Sequence, residues 1–270
     1  MIIQHNMRSM NTNRQLGIVG SNLTKSAEKL ASGYKVNRAA DDAAGLAISE
    51  KMRSQVRGLN RASDNAQDGI SLIQTAEGAM EQQHAILQRA RELVVQASNS
   101  GVLDEPTADF QKIQDELTEI GAEFTRINTD TEFNKKKLLG GAYDGQYLQI
   151  GANEAQGIEV SIAAVDWGDY DISAGDGAAN SAVITAVDDT ISALTTERSK
   201  LGAIQNRLEY AVKVDDNAAE NLQSAESRIR DTDMADEMTR FSKESILQQA
   251  ATSMLAQANQ SNQGVLSLLQ

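Results

Sequence analysis

Residues 52–97 read MRSQVRGLNRASDNAQDGISLIQTAEGAMEQQHAILQRARELVVQA, and Met52, Leu59, Ala66, Ile73, Met80, Leu87 and Val94 fall seven apart within it without a miss. Three residues after each stand Gln55, Ala62, Gly69, Ala76, Gln83, Ala90 and Ala97, so one rung of the repeat is large and the next mostly small. A seven-residue apolar repeat of this length is a coiled-coil seam, and the small rung lets a partner helix come close. A single helix over 46–97 would run roughly 75–80 Å at about 1.5 Å per residue, so it needs a partner of similar length.

That partner lies in the other half of the chain. Val187, Leu194, Leu201, Leu208, Leu222 and Ile229 repeat at seven, interrupted only by Asp215, with Ile191, Ile204, Val212, Ala219 and Ala225 filling the intervening positions. Two long seams, one in each half, predict an antiparallel pair closed by the middle of the chain. A third helix is expected from about Ala108 to Asn128, where Phe110, Ile113, Leu117, Ile120, Phe124 and Ile127 are spaced three and four apart. The run Asn99-Ser100-Gly101 and the single proline, Pro106, separate it from the first.

Between Thr129 and about Ala182 the period shortens. Tyr147–Ile150 and Ile158–Ile162 alternate as strands do, between Asn134, Gly140-Gly141, Asp144-Gly145, Gly151 and Gly157, which predicts one or two β-hairpins. Gly168–Ala179 reads as an exposed loop. At the termini, Ile3, Met7 and Met10, then Leu16, Val19, Leu23, Ala27 and Leu30, repeat at helical spacing, as do Leu247, Ala251, Met254, Ala258, Ser261, Val265 and Leu268. No charged side chain occurs from Ser245 to Gln270. A helix that is apolar on one side and lined with Gln, Asn and Ser on the other suits pairing with the N-terminal stripe inside an assembly, where amides avoid the desolvation cost of ions.

The fold class is therefore mainly α: a long antiparallel helical bundle, a small β-hairpin region at about 129–182, and terminal helices that pair. The 270 residues carry 25 Lys and Arg against 38 Asp and Glu, a net charge of −13 that argues against a duplex-DNA binder. With no cysteine, disulfides, zinc–thiolate sites and thiol nucleophiles are excluded. No cleavable secretory signal and no membrane-spanning run is apparent, which leaves a cytoplasmic address or export by an uncleaved signal.

Catalytic chemistry finds little footing. The only histidines, His5 and His84, lack the partner of an H-E-x-x-H site. Asp41 and Asp42 adjoin and would point apart on a helix, so a cap or an intersubunit salt bridge is the expected role, with Arg38 as a candidate partner. Asp166, Asp169, Asp171 and Asp176 resemble a calcium loop only until Ala174 and Asn180 stand where glycine and glutamate are required. Lys135-Lys136-Lys137 reads as a solvated turn. No enzyme, metal or cofactor is expected. Two classes remain: a self-assembling structural subunit, which the uncharged C-terminus favours, and a non-polymerising binding protein.

Several segments together resemble bacterial flagellin. Residues Asn37-Arg38-Ala39-Ala40-Asp41-Asp42-Ala43-Ala44-Gly45-Leu46-Ala47-Ile48-Ser49 are similar to the family's N-terminal signature. So are Leu87–Leu93, Phe133-Asn134 with Leu138-Leu139, and Leu148–Asn153; in the C-terminal half Ser227–Asp231 with Met234-Ala235, Ile246–Ala250 and Met254–Gln260 match as well.

The resemblance implies a subunit of the flagellar filament, a short form without inserted outer domains. It implies an inner coiled-coil domain from 1–36 with 234–270 and a bundle domain from 37–233. Ile3, Met7, Leu16, Leu23, Leu30, Leu247, Ala251, Met254, Ala258, Val265 and Leu268 are then expected at polymerisation contacts. It implies secretion unfolded through the flagellar type III channel without a cleaved signal peptide, guarded by an export chaperone, with junction and filament-cap proteins as further partners. Recognition by Toll-like receptor 5 is implied at Gln88, Arg89, Glu92, Leu93 and Glu116. From Leu138 to Glu197 there are ten acidic residues and no Lys or Arg, whereas 245–270 carry none, so a fibre with a charged outside and an uncharged polar-apolar inner tube is expected.

Overall fold

A computed structural model of the chain describes residues 6–99, 108–172 and 177–267, and within them every side chain except those of 108, 109, 177, 178 and 261–267. Ile3, His5, Leu268, Ser100–Pro106, Ala174 and Asp176 thus lie outside the described residues. The helices are α1 (Met7–Ser32), α2 (Ala43–Ala97), α3 (Ala108–Asp130), α4 (Gly177–Arg230) and α5 (Met234–Ser267). Four short strands lie between α3 and α4: β1 (Glu132–Phe133), β2 (Lys136–Lys137), β3 (Gln146–Gln149) and β4 (Gly157–Val160). The chain divides into two compact units, residues 1–54 with 221–270 and residues 55–220.

In the second unit α2 and α4 run antiparallel along the two heptad seams. Ser63 donates to Asp216 at 3.0 Å, Glu77 pairs with Arg198, Arg91 with Asp188, and Asn180 donates to the Ala97 carbonyl, so numbers on one helix fall in step as they rise on the other. Ala66, Ile73, Met80, Leu87 and Val94 are buried against Val187, Leu194, Leu201 and Leu208, with Ala62, Ala76, Ala90 and Ala97 of the small rung beside them. At Gly69 the small rung admits two leucine side chains. A Cβ there would meet Leu148 Cδ1 of β3 at 2.8 Å and Leu208 Cδ1 of α4 at 3.4 Å.

Helix α3 lays Phe110, Ile113, Leu117 and Phe124 into the same core. Gln83 of α2 reaches Asn128 of α3 within it. The β region forms two antiparallel two-stranded hairpins, β1–β2 and β3–β4. Phe133 pairs with Lys136 in the first, leaving Asn134 and Lys135 as a two-residue loop with φ of 49° and 65°. Positive φ at both positions is the type I′ geometry whose twist matches the flanking strands. The lysine run is therefore half turn and half strand, with Lys137 paired to Glu132.

The stretch read as an exposed loop departs from expectation. Tyr170 and Ile172 are buried, and α4 already begins at Gly177. The Gly, Ser and Asp content masks two large apolar side chains that the core takes up. Trp167 stands edge to face with Tyr170 at 4.7 Å and tilted against Phe124 at 5.5 Å, covering Gly121.

In the first unit α1 and α5 pair antiparallel. Asn6 donates to the Ala258 carbonyl at 3.1 Å and Ser9 to Asn259 at 2.8 Å near one end, and Thr232 N–H donates to the Gly33 carbonyl at 2.9 Å at the other. Helices α1, α2 and α5 each start at a capping side chain. Asn6 accepts from Ser9 N–H to start α1, and Gly33, at φ 75°, ends it in the left-handed conformation. Asp42 accepts from Gly45 N–H at the start of α2, and Asp233 from Ala235 N–H at the start of α5. Asp41 accepts from Arg38 N–H and Asn37 N–H, bonds that hold its carboxyl below the ordinary range. Arg38 itself pairs with Glu28, not with the aspartates. The sequence offered Arg38 no sight of Glu28, which α1 carries back beside it.

Candidate functional site

The terminal pair sorts the expected assembly residues into two sets. Leu16, Leu23 and Leu30 on α1 and Ala251 and Ala258 on α5 are half-buried, on the faces that the two helices turn to each other. Met7, Leu247 and Met254 instead face outward, and Met254 is 64% exposed. For Val265 only the helical backbone is described. Four further residues share the outward faces: Met10 and Ile18 on α1, and Met238 and Ile246 on α5. The spacing of Leu247, Ala251, Met254 and Ala258 marks one stripe, whereas large apolar residues of α5 such as Met238 and Ile246 also stand off it. The inward face of α5 is polar as well as apolar, with Glu237, Phe241, Glu244, Gln248 and Leu255 beside the alanines.

A helix whose solvent side keeps this many large apolar residues is incompletely buried within one chain. Surfaces of that kind mark contacts with other molecules. From Ser245 onward the polar positions between them hold only amides and hydroxyls, groups that are buried at an interface with hydrogen bonds alone.

The second set of residues, on α2 and α3, forms a charged node in the 55–220 unit. Arg89 donates through Nη2 to Glu116 Oε1 at 2.8 Å and through Nε to the same oxygen at 3.0 Å, while Nη1 reaches Glu92 Oε2 at 3.1 Å. These bonds, that to Glu116 foremost, hold the guanidinium proton more tightly than usual. Gln88 contacts His84 at 2.9 Å. Leu93, in contrast, is 2% exposed and belongs to the core, so it props the helix beneath the node and does not stand beside Arg89 as a surface anchor. Position 93 lies next to the seam residue Val94 and faces the side where α3 packs, which a two-helix seam does not reveal.

Among the described residues no group of three or more metal-binding side chains comes together. No described helix is long and apolar enough to cross a membrane. Grooves among the described residues are open, lined by helix surface and, in the 55–220 unit, also by the loops around Gly141 and Trp167. Extended helices, an open surface and an outward apolar stripe form a device for association.

Residues 3–144 match the bacterial flagellin N-terminal helical region, and residues 184–269 match the bacterial flagellin C-terminal helical region. The chain belongs to the bacterial flagellin family. It is 51% identical to a flagellin of Halalkalibacterium halodurans and 48% identical to a flagellin of Bacillus subtilis, in each case over 100% of both chains. It is 47% identical, again over the full length of both, to the flagellar filament 31.3 kDa core protein of Treponema maltophilum. A crystal structure of Bacillus cereus flagellin aligns with 56% of this chain and 88% of its own, at 24% identity and a TM-score of 0.46.

Flagellins are structural proteins and not enzymes, so this chain is a structural subunit of the flagellar filament, an extracellular fibre. It is a short member, since residues 161–176 are all that separates β4 from α4.

Proposed function

We propose that the chain polymerises through its terminal helices, residues 1–36 with 234–270 forming an inner coiled-coil layer and residues 37–233 the layer outside it. The observation that carries this reading is the outward stripe of Met7, Met10, Ile18, Ile246, Leu247 and Met254 on a helix pair whose last 26 residues hold no charge. Stacking such pairs around an axis buries the stripe, and from Ser245 onward α5 brings no ion to desolvate. The acidic stretch 138–197 then belongs to the outer layer.

The same reading has the subunit leave unfolded through the flagellar type III channel, with the uncharged α5 end as the segment an export chaperone covers until then. Junction and filament-cap proteins meet the same terminal stripe at the two ends of the fibre. Released subunits present Gln88, Arg89, Glu92 and Glu116 to Toll-like receptor 5, with Leu93 fixing the helix underneath. The support for the receptor reading is the family match of these positions and their shared, solvent-facing node.

Deleting Ser245–Gln270 tests the assembly reading. Filaments seen by negative-stain microscopy and pelleted at high speed disappear, while circular dichroism still reports the helices of the 55–220 unit. Filaments that persist without this segment overturn it. For the receptor, Arg89→Ala lowers the potency of monomer in a reporter cell line by about tenfold or more if the node is the contact; unchanged potency removes that part of the proposal.

A further inference from the structure

In the 55–220 unit the two most exposed large apolar residues are neighbours on α4: Tyr210 at 69% and Val214 at 65%. They stand one turn apart, so they share a face. Cations border them. Lys213 Nζ lies 5.5 Å from the Tyr210 ring centroid, and Arg207, one turn before, has no ion pair among the described residues. Of the acids nearby in sequence, Glu209 is engaged by Gln205 at 3.0 Å, Asp215 is buried and Asp216 accepts from Ser63. An exposed aromatic with arginine and lysine at its edge is the composition of an interface centre, and the surface it fits is acidic with an aromatic of its own.

The same unit carries such a surface. Tyr147, 52% exposed on β3, stands directly across from Glu159 on β4, and Glu154 lies in the turn that joins the two strands. No Lys or Arg occurs anywhere from 138 to 197.

Leu148 of β3 and Leu208 of α4 both turn towards Gly69 of α2. Successive strand side chains alternate sides, so Tyr147 points away from α2. Two positions along a helix turn a side chain through about 200°, so Tyr210 points away from α2 as well. Both patches therefore stand on the outside of the unit.

We propose that the α4 patch of Arg207, Tyr210, Lys213 and Val214 docks on the β3–β4 patch of Tyr147, Glu154 and Glu159 of a second copy of the chain. Because the two surfaces differ, the contact is heterologous and does not close in a pair; within a filament it repeats from copy to copy. This rests on the filament reading and assigns one of its subunit contacts outside the terminal helices.

The absence of cysteine makes the test clean. Asn153→Cys beside Glu154 and Asn206→Cys beside Arg207 are placed in separate chains, which are co-assembled and treated with a short bis-maleimide. Mixed cross-linked pairs are expected in the pelleted filaments, in excess of either like pair. Filaments that form without mixed pairs overturn the contact. As a second measurement, R207E/K213E raises the critical concentration for assembly by about tenfold at low salt, and adding E154K/E159K to the same chain restores it. Assembly unaffected by the first pair of changes, or not restored by the second, also overturns it. If the unaltered chain forms no filaments, the failure belongs to the filament reading; if it does and the cross-link is missing, only this contact falls.

Discussion

Gln83 on α2 donates to Asn128 Oδ1 on α3 at 3.0 Å, and Asn128 Nδ2 donates in turn to the Val165 carbonyl at 2.9 Å, with both side chains buried. This relay ties three segments together inside an otherwise apolar core. Each group in it has lost its water, so each is costly to orphan. Asn128→Ala strips the partner from Gln83 and from the Val165 carbonyl at once. A loss of about 1–3 kcal/mol per orphaned group is expected in urea unfolding of the chain. An unchanged midpoint would show that the relay contributes nothing.

Asp215 occupies the seam position that Leu208 and Leu222 define on either side. It is buried, Oδ2 has no hydrogen-bond partner, and burial together with Asp216 pushes its carboxyl above the ordinary value of 3.8. At low pH the carboxyl is protonated in the folded and unfolded chain alike. As pH rises past 3.8 the unfolded chain ionises first, and the fold loses stability until the buried carboxyl ionises too. Asp215→Asn therefore stabilises the chain at neutral pH, and the gain fades as pH falls to 3.8 and below. Asp215→Leu, which completes the seam, adds about 1–3 kcal/mol. Thermal unfolding across a pH series checks the sign; a gain that grows on acidification contradicts it.

Gly121 leaves room for the only tryptophan. A Cβ at that position would stand 2.7 Å from Trp167 Nε1. Gly121→Ala forces the ring away from Phe124 and Tyr170, at about 1–3 kcal/mol, and shifts the Trp167 emission towards that of solvated indole. Emission identical to that of the parent chain would mean that the ring does not sit over Gly121.

The β1–β2 turn holds Lys135 at φ 65°, a conformation that costs a side-chain-bearing residue about 1 kcal/mol or more. Lys135→Gly is expected to stabilise the hairpin by up to that amount, since glycine accepts the conformation freely. Chemical denaturation measures it, and a destabilised variant contradicts the turn assignment.

The heptads were legible because burial on a long helix leaves a period. Ile73, Met80, Leu87 and Val94 met Val187, Leu194, Leu201 and Leu208 as their spacing required. The cap at Asp42 was legible too, as a short polar side chain placed just before an apolar run, whereas those at Asn6 and Asp233 emerge only from the structure. What escaped depends on a third partner. Leu93 is buried because α3 lies beside α2, and Tyr170 and Ile172 because the core reaches into a glycine-rich stretch; neither fact leaves a period. The terminal helices show the same limit. A stripe at spacings of three and four locates a helix, but it does not say whether Leu247 and Met254 face α1 or the surroundings, and both face outward.

That outward placement allows the most direct test. Leu247→Glu with Met254→Glu puts two charges on the outer face of α5 and leaves the half-buried Ala251, Leu255 and Ala258 against α1 untouched. Burying those charges between subunits costs several kcal/mol each, whereas leaving them in water costs a single chain almost nothing. Electron microscopy of the purified double variant should show no filaments at a concentration where the parent chain forms them, with the thermal unfolding of its monomer unchanged. Normal filaments from this variant would contradict assembly through the outer face of the terminal helices.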